Sequence, residues 1–532
     1  MSMFGVFLTK FRIPFTSIRP FLNEIHQRDL AAIGCGAGIS AIFGTPIGGT
    51  LFALELLSYW SITVTFFIFI SSLWAAATSK IIRVIYTWLS TSSSYVHVTY
   101  FDVKVDEDIH YSVAEFPIYI LMGIIIGFAG AAMNYAHIYT HALRKFYRKN
   151  VRWKKLLRIG ECIIFAIIIA TGSYYLILTR LSARIPLSVH HDDKKEAILS
   201  NPENNIAAFL SQSKREVINS ILTVEKDYMD TNLFLLLILL YNAALLQLGL
   251  YIPTGIIVPT LISGAIMGLL FASVVRYLYP NSDSWARLNK MAHIGAVAHC
   301  SGLTHLKFSI GVIMMESLGN PMFGIPIMFT AFITNWVVSF FSYPIYHLLM
   351  NFKGYPTLDP ELIPLVIEMT ARDVMTTPVT CLPLWIGAND LINFLNTDKH
   401  LGYPVINKDN ITKVEAKDQI KIIGFIYRKQ IQKLLESEED MITQLTSVSA
   451  PDPDKRQVSF IRLMDPYPIT VKTRTSLVRT YQLFYSLGLL HLPVVDERNY
   501  LVGVITRYDL TTIRCDMTFC ASRINRGLVV HD

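Results

Sequence analysis

Uncharged, mostly apolar runs recur along the first part of the chain, at 116–136, 162–179, 231–275 and 317–352. Each is at or above the roughly 18 residues a helix needs to cross a bilayer. A further stretch, from Asp29 to Lys80, holds one charged residue between its ends, Glu55. Gly and Pro interrupt the longest runs, at Pro253 and Pro259 and again at Gly324 and Pro326. Those runs are therefore read as pairs of helices or half-helices rather than single rods. The pattern predicts roughly seven to ten membrane segments.

After Lys353 the pattern changes. KGYPTLDPELIPL reads as a turn-rich linker, and charges and alternating β-type stretches then continue to the end. The new region contains an internal repeat: Met375 precedes Pro404 by 29 residues and Met464 precedes Pro493 by the same 29. Each copy goes on to a Gly-led strand, GFIYRKQ at Gly424 and GVITRYDL at Gly503. Two copies imply one pseudo-symmetric soluble unit. VEAKDQ and the acidic, Ser-rich segment 436–456 between them read as insertion or linker.

Composition agrees with the runs: of 532 residues, 52% are hydrophobic and 16% charged, too apolar for an ordinary soluble domain. The net charge of +7 is unevenly spread, with eight of the fifteen residues from Arg144 to Arg158 basic. Between two hydrophobic runs this reads as a solvated loop, which the positive-inside rule places in the cytoplasm. The six cysteines (Cys35, Cys162, Cys300, Cys381, Cys515 and Cys520) have neither disulfide-framework nor zinc spacing and are read as buried thiols, so no metal site is expected. Residues 1–22 lack a leader cleavage site after an apolar core, although FGVFLTKFRIPF is apolar enough to lie at an interface.

The order of elements in each repeat copy, strand, helix, Pro-containing strand, Gly-led strand, helix, resembles the cystathionine-β-synthase (CBS) domain, which packs in pairs and often binds adenine nucleotides. The resemblance implies that Thr506 and Asp509 of GVITRYDL contact a ribose and that His400 sets its ring against an adenine, with ATP or ADP as the ligand. A carboxylate suits that role because it accepts from both ribose hydroxyls at once. The alternative for Asp509 is a helix cap.

GCGAGISAIFGTPIGGTLFALE, from Gly34 to Glu55, resembles the GAAAGxxAAFGAPIGGxLFxxE motif of the CLC chloride channel and chloride–proton exchanger family. The family's GxFxP motif reads GIIVP here, from Gly255 to Pro259, with Ile257 in place of the usual Phe. By this resemblance Gly255, Ile256, Ile257 and Pro259 form an anion site at a helix N-terminus, where backbone N–H groups face the ion. Tyr346, in SYPIYHLLMNF, matches the pore tyrosine whose hydroxyl meets the central chloride. TARDVMTTPVTCL, IGVIMMESLGNPMFGIPIM and AEFPIYILMGIIIGFAGAAMN are most similar to the lysosomal and late-endosomal exchanger branch.

The family's two earlier motifs, GSGIP and GKEGP or GREGP, are absent, so the expectation is a chain that begins after the gating glutamate and lacks several N-terminal helices and about half of the anion site. In the family's exchangers LFxxE is followed by a second, proton-carrying acid; here that position is Leu56. Glu55 then matches the first, structural acid, expected to accept hydrogen bonds from neighbouring helix N-termini or polar side chains; the alternative is a proton relay. An unpaired acid in mid-membrane costs about 2.5–3.5 kcal/mol on insertion scales, so a partner is required.

These readings give a multi-pass α-helical membrane protein, CLC-like, with a C-terminal α/β tandem CBS module. The expected division is a partial N-terminal segment, interfacial or helical, at 1–30, a membrane domain at 31–352 and a linker at 353–369. A first CBS domain at 370–440, a linker at 441–457, a second CBS domain at 458–520 and a tail at 521–532 follow. The resemblance implies chloride transport across an endolysosomal membrane with proton coupling lost, a homodimer or a heterodimer with another CLC subunit, an accessory membrane subunit as a candidate partner, and a cytoplasmic CBS module. No enzymatic activity and no nucleic-acid partner are expected. The competing reading is a nonconducting, nucleotide-sensing partner of a full-length subunit. A CBS-linked metal-ion transporter would need more intramembrane acids than Glu55 and Glu316.

Overall fold

The computed structural model describes residues 24–57, 61–90, 111–148, 154–179, 210, 213–222, 231–250, 254–279, 285–318, 323–355, 358, 369–408, 411–415, 418–436, 457–461 and 463–511. The segment 1–23, Pro253, Cys515, Cys520, most of the linkers and the tail 521–532 lie outside the described residues. The chain divides into two compact units, Met1–Tyr355 and Pro356–Asp532.

The described part of the first unit is helical: α1 (Glu24–Phe43), α2 (Pro46–Leu56), α3 (Ile62–Ser90), α4 (Phe116–Arg148), α5 (Lys154–Thr179), α6 (Lys214–Leu222), α7 (Thr231–Leu245), α8 (Ile257–Leu278), α9 (Leu288–Thr304), α10 (Ser309–Leu318), α11 (Gly324–Ser339) and α12 (Ile345–Phe352). Among the described residues four spans, Ile62–Ile85, Val113–Tyr147, Leu156–Leu176 and Ile257–Leu278, are long and apolar enough to cross a membrane, and Pro46–Leu56, Phe234–Leu245 and Gly324–Ser339 are shorter apolar helices. The run 231–275 divides into α7 and α8, and 317–352 into pieces that include α11 and α12. Pro259 and Pro326 each sit at the third residue of a helix, where a missing N–H removes no intrahelical bond.

Helix α9 is buried on every face apart from Asn289, against α8, α4 and α11. A helix buried all round occupies the centre of its unit. Small residues let α8 approach it: a Cβ at Gly268 would lie 2.1 Å from the Met291 carbonyl oxygen, and one at Gly264 2.4 Å from that of Gly295. In lipid such close packing, rather than hydrophobic burial, holds helices together. One residue of the basic cluster departs from the solvated-loop reading. Arg144 is buried at the end of α4, where it donates to the carbonyls of Leu246 and Leu248, each at 2.9 Å, and ties down the turns that follow α7. Both carbonyls belong to those turns, beyond the last residue of α7.

The second unit contains α13 (Ala371–Val374), β1 (Val379–Pro383), β2 (Trp385–Gly387), α14 (Ala388–Thr397), β3 (Gly402–Ile406), β4 (Thr412–Val414), β5 (Ile422–Tyr427), α15 (Arg428–Glu436), β6 (Gln457–Ser459), β7 (Val471–Lys472), α16 (Leu477–Leu487), β8 (His491–Val495), β9 (Leu501–Thr506) and a 3-10 turn, Arg507–Leu510. The sheets run β4-β1-β3-β5, β2-β6 and β7-β8-β9. The copies share one register. Pro404 faces Phe425 and Val405 faces Gly424 in the first, Pro493 faces Val504 and Val494 faces Gly503 in the second, and the register shifts one residue later in both.

The copies also exchange their leading segments. Thr376 bridges to Val504 and Asp465 to Phe425. A Cβ at Gly424 would lie 2.6 Å from the Met464 sulfur, and one at Gly503 2.7 Å from that of Met375. Met369, Ala371 and Val374 belong to the second copy's apolar core, and Phe460 to the first copy's. Each core is therefore completed by sequence from the other repeat.

Candidate functional site

The N-terminus of α8 has the form an anion site needs. Ile256 precedes the helix with no side-chain cap, and Pro259 follows two residues into it. The Thr260 hydroxyl turns back to donate to the carbonyls of Ile256 (2.9 Å) and Ile257 (2.7 Å), away from the helix start. Gly255 is exposed, and nothing stands within 4 Å of where a Cβ would be. Ile256 and Tyr346 both pack against the cluster of Met133, Leu245, Leu248, Leu303 and Ile345. Two motifs some ninety residues apart in the sequence thus meet on one apolar wall. Uncapped N–H groups at a helix start carry a partial positive charge, which favours an anion.

Glu55 lies near the end of α2, and its partners lie at the start of α10. It accepts from the backbone N–H of Lys307, from that of Ser309 at 3.1 Å and from the Ser309 hydroxyl at 2.7 Å, with the Phe308 N–H at 3.4 Å. These groups begin α10. In return Glu316, near the end of α10, accepts from the backbone N–H of Gly48 at 2.9 Å and of Ile47 at 3.4 Å, which begin α2. Helices α2 and α10 are in contact, and each caps the other with a carboxylate. A negative side chain at a helix N-terminus satisfies orphan donors and meets the positive end of the helix dipole. The neighbouring Leu56 is exposed.

Sequence reading missed a third intramembrane arrangement. Glu115, at the 3-10 turn Val113–Glu115 that leads into α4, accepts from the Tyr119 hydroxyl and from the ammonium of Lys290 in the first turn of α9. Lys290 and Tyr119 are both fully buried. The Ser112 backbone N–H donates to the other Glu115 oxygen at 3.2 Å. A buried ion pair persists only when its remaining lone pairs are also satisfied, and here they are. Its sequence signal was Lys290 itself, a single cation in the otherwise small-residue and apolar stretch that becomes α9.

In the soluble unit, His400, Thr506 and Asp509 line one cavity of about 310 Å³, together with Thr376, Thr380, Tyr403, His491, Val504 and Tyr508. The two copies contribute unequally to it. Asp509 is buried, and its carboxylate accepts from the Thr506 N–H (2.9 Å) and hydroxyl (2.7 Å), a cap on the 3-10 turn. His400 is mostly exposed. Its Nδ1 lies 2.6 Å from Asp398, whose carboxylate also accepts from the His400 backbone and the Tyr403 hydroxyl. Burial pushes the Asp398 carboxyl up, but these donors outweigh it and hold its pKa below the usual carboxylate range. Burial, with Asp398 beside it, pushes the Tyr403 hydroxyl up to about 12.

Cavity residue His491 was not singled out from sequence. Its ring lies 5.4 Å from Phe425 and 5.7 Å from Tyr427, and burial, with His400 nearby, pulls its pKa down to about 4. By register His491 is the counterpart of Gly402, Tyr427 of Thr506 and Phe425 of Val504. At the equivalent positions of the other copy stand three rings in mutual edge-on or tilted contact. Gln430 accepts from the Tyr427 N–H at 2.9 Å, as Asp509 does from Thr506.

Among the described residues no cluster of His, Cys, Asp or Glu has a metal-holding arrangement. Cys300 and Cys381 are buried free thiols, and Cys35 and Cys162 are free and half-buried.

A helix start without a side-chain cap and a half-buried tyrosine on one apolar wall, in a helical unit followed by a paired β-α repeat, describe a class of multi-helix membrane protein with a CBS-like tail. The family model described as voltage gated chloride channel matches residues 2–339, and that of the CBS domain matches residues 459–515. This chain belongs to the voltage gated chloride channel family. It is 28% identical to the human H(+)/Cl(-) exchange transporter 7, over 95% of this chain and 65% of that protein. To chloride channel protein C of Dictyostelium discoideum it is 27% identical, over 96% of this chain and 71% of that one. A solved eukaryotic CLC transporter shares the fold, with a TM-score of 0.53 at 19% identity, covering 91% of this chain and 75% of that one. The chain spans 65% of the length of the exchange transporters it matches.

Proposed function

We propose that this chain moves chloride through a membrane by a backbone-lined site at the start of α8, without driving protons in the opposite direction. The observation that supports it most directly is the uncapped turn Gly255–Ile257 on the same apolar wall as Tyr346. An anion there would take N–H groups that have no side-chain partner, with the Tyr346 hydroxyl as a further donor. Absence of coupling follows from the acids. Coupling needs a carboxyl whose protonation alternates with anion occupancy, and Leu56 cannot hold a proton. Glu55 is engaged as the cap of α10, which favours the structural over the proton-relay reading. The function is thus one of transport and not of catalysis.

In this reading the membrane is endolysosomal, as the likeness to the exchange transporters suggests, and the basic segment Arg144–Arg158 faces the cytoplasm together with the CBS module. The chain assembles as a dimer, with a second copy or another CLC subunit, and the soluble cavity takes an adenine nucleoside or nucleotide, ATP and ADP included.

The test is reconstitution of the full chain in liposomes under an imposed chloride gradient. Chloride flux is expected without uphill proton movement, and Ile257→Pro, which deletes one N–H of the helix start, is expected to reduce it. Proton uptake against its gradient by the unmodified chain would overturn the uncoupled reading and point to Glu55 as the carrier. Absence of any anion flux would overturn the transport reading itself.

A further inference from the structure

We propose that the soluble cavity selects the nucleoside part of its ligand, so that at neutral pH an adenine nucleoside binds at least as tightly as its triphosphate. The inference rests on the reading of this cavity as an adenine-ligand site.

Size and charge both argue for it. At about 310 Å³ the cavity is at the small end of the roughly 300–1,000 Å³ typical of ligand pockets. Among the described lining residues there is no Lys or Arg. The fixed charge on its wall is that of Asp509, which repels a phosphate chain. Phosphates are ordinarily held by Arg or Lys, or by the free N–H groups of a helix start. Here the 3-10 turn after Thr506 is four residues long; the Thr506 N–H before it donates to Asp509, and the Arg507 N–H that opens it donates to the Leu490 carbonyl at 3.3 Å.

Two arginines next to lining residues make contacts elsewhere: the Arg428 guanidinium donates to the carbonyls of Asp398 and Leu395 and reaches the Tyr403 hydroxyl at 3.5 Å, and Arg507 donates its Nε–H to the Leu489 carbonyl at 3.0 Å. Lys399 is exposed beside His400 on the chain and does not line the cavity.

The two histidines divide the remaining work. His491 has an Nδ1 that is buried with no hydrogen-bond partner among the described residues. Its ring lines the cavity in contact with Phe425 and Tyr427, and a neutral imidazole there can hydrogen-bond a base or sugar. His400 turns Nδ1 to Asp398, which leaves Nε2 as the nitrogen available to a ligand. Around it stand Asp398, Tyr403, Arg428, His491 and, elsewhere on the cavity wall, Asp509 and Tyr508.

Calorimetric titration of the full-length chain in detergent with adenosine, AMP and ATP, at fixed ionic strength and pH 7.5, tests this. The adenosine Kd is expected to equal or fall below that of ATP. Tyr508→Arg, which places a cation on the wall without deleting a cap, is expected to give ATP about a tenfold advantage at pH 7.5. ATP binding tenfold or more tightly than adenosine to the unmodified chain at pH 7.5 would overturn the selectivity and leave the nucleotide reading standing. No heat from any of the three would overturn both.

Discussion

Two regions of this molecule are built by exchange, and they exchange different things. In the membrane unit α2 and α10 trade carboxylates: Glu55 caps α10 and Glu316 caps α2. In the soluble unit the repeat copies trade methionines, Met375 onto Gly503 and Met464 onto Gly424. The difference follows the solvent. In lipid an apolar contact gains little over the lipid it replaces, whereas a bare N–H is expensive, so polar satisfaction is the stronger fastener. In water the apolar side chain drives the association, and the partner offers a glycine to receive it.

The comparison can be broken most severely at Gly424. Gly424→Val would set side-chain carbon against the Met464 sulfur and the Asp465 carbonyl, 2.6 and 2.8 Å from an added Cβ. Overpacking against backbone is expected to cost about 3 kcal/mol, read as a lowered melting transition of the soluble unit with that of the membrane unit unchanged. Equal loss from both units would contradict the separation drawn above.

Glu55→Leu attacks the polar exchange. It leaves the Ser309 N–H and hydroxyl without their acceptor, at about 1–3 kcal/mol per buried orphan. Glu55 is half-buried, so about 2 kcal/mol is expected in detergent unfolding of the full chain. No loss would mean that lipid or water replaces the cap freely.

Acid tests the soluble unit through a group inside it. The His491 pKa is about 4 in the folded chain against about 6.5 unfolded, so between those values the unfolded state binds more protons. Stability of the soluble unit should therefore fall as pH drops from about 6.5 to about 4, by on the order of 1–2 kcal/mol. His491→Phe, which keeps a ring between Phe425 and Tyr427, should flatten the dependence over that window. A dependence unchanged in the variant would remove His491 as its cause.

The smallest expected effect is Glu55→Gln, which keeps an acceptor and removes the charge. About 0.5–1 kcal/mol should be lost, the scale of the dipole interaction alone. A loss as large as that of Glu55→Leu would show that charge rather than hydrogen bonding holds α10.

Much of this was legible in the sequence because it depends on local pattern. Apolar runs broken by Gly and Pro marked the divided helices, since length and backbone breakers act within a segment. The equal spacing of Met375 to Pro404 and of Met464 to Pro493 marked the repeat, and Asp509 three residues after Thr506 carried a cap as one of its two readings. Glu55 was expected to accept from neighbouring helix N-termini or polar side chains, because a lone acid among apolar residues must find donors. Which helix it caps, and that Glu316 returns the cap across more than two hundred residues, was decided by tertiary contact. The same holds for Lys290 with Glu115, for Arg144 on the carbonyls after α7, and for the methionines that complete the other copy's core. None of these partners is near in sequence, and a side chain's type states what it needs without stating where it is met. The sequence by itself determined the helices, the repeat and the demand of each buried charge for a partner; tertiary structure decided the partners, because satisfaction and close packing are properties of residues brought together from distant parts of the chain.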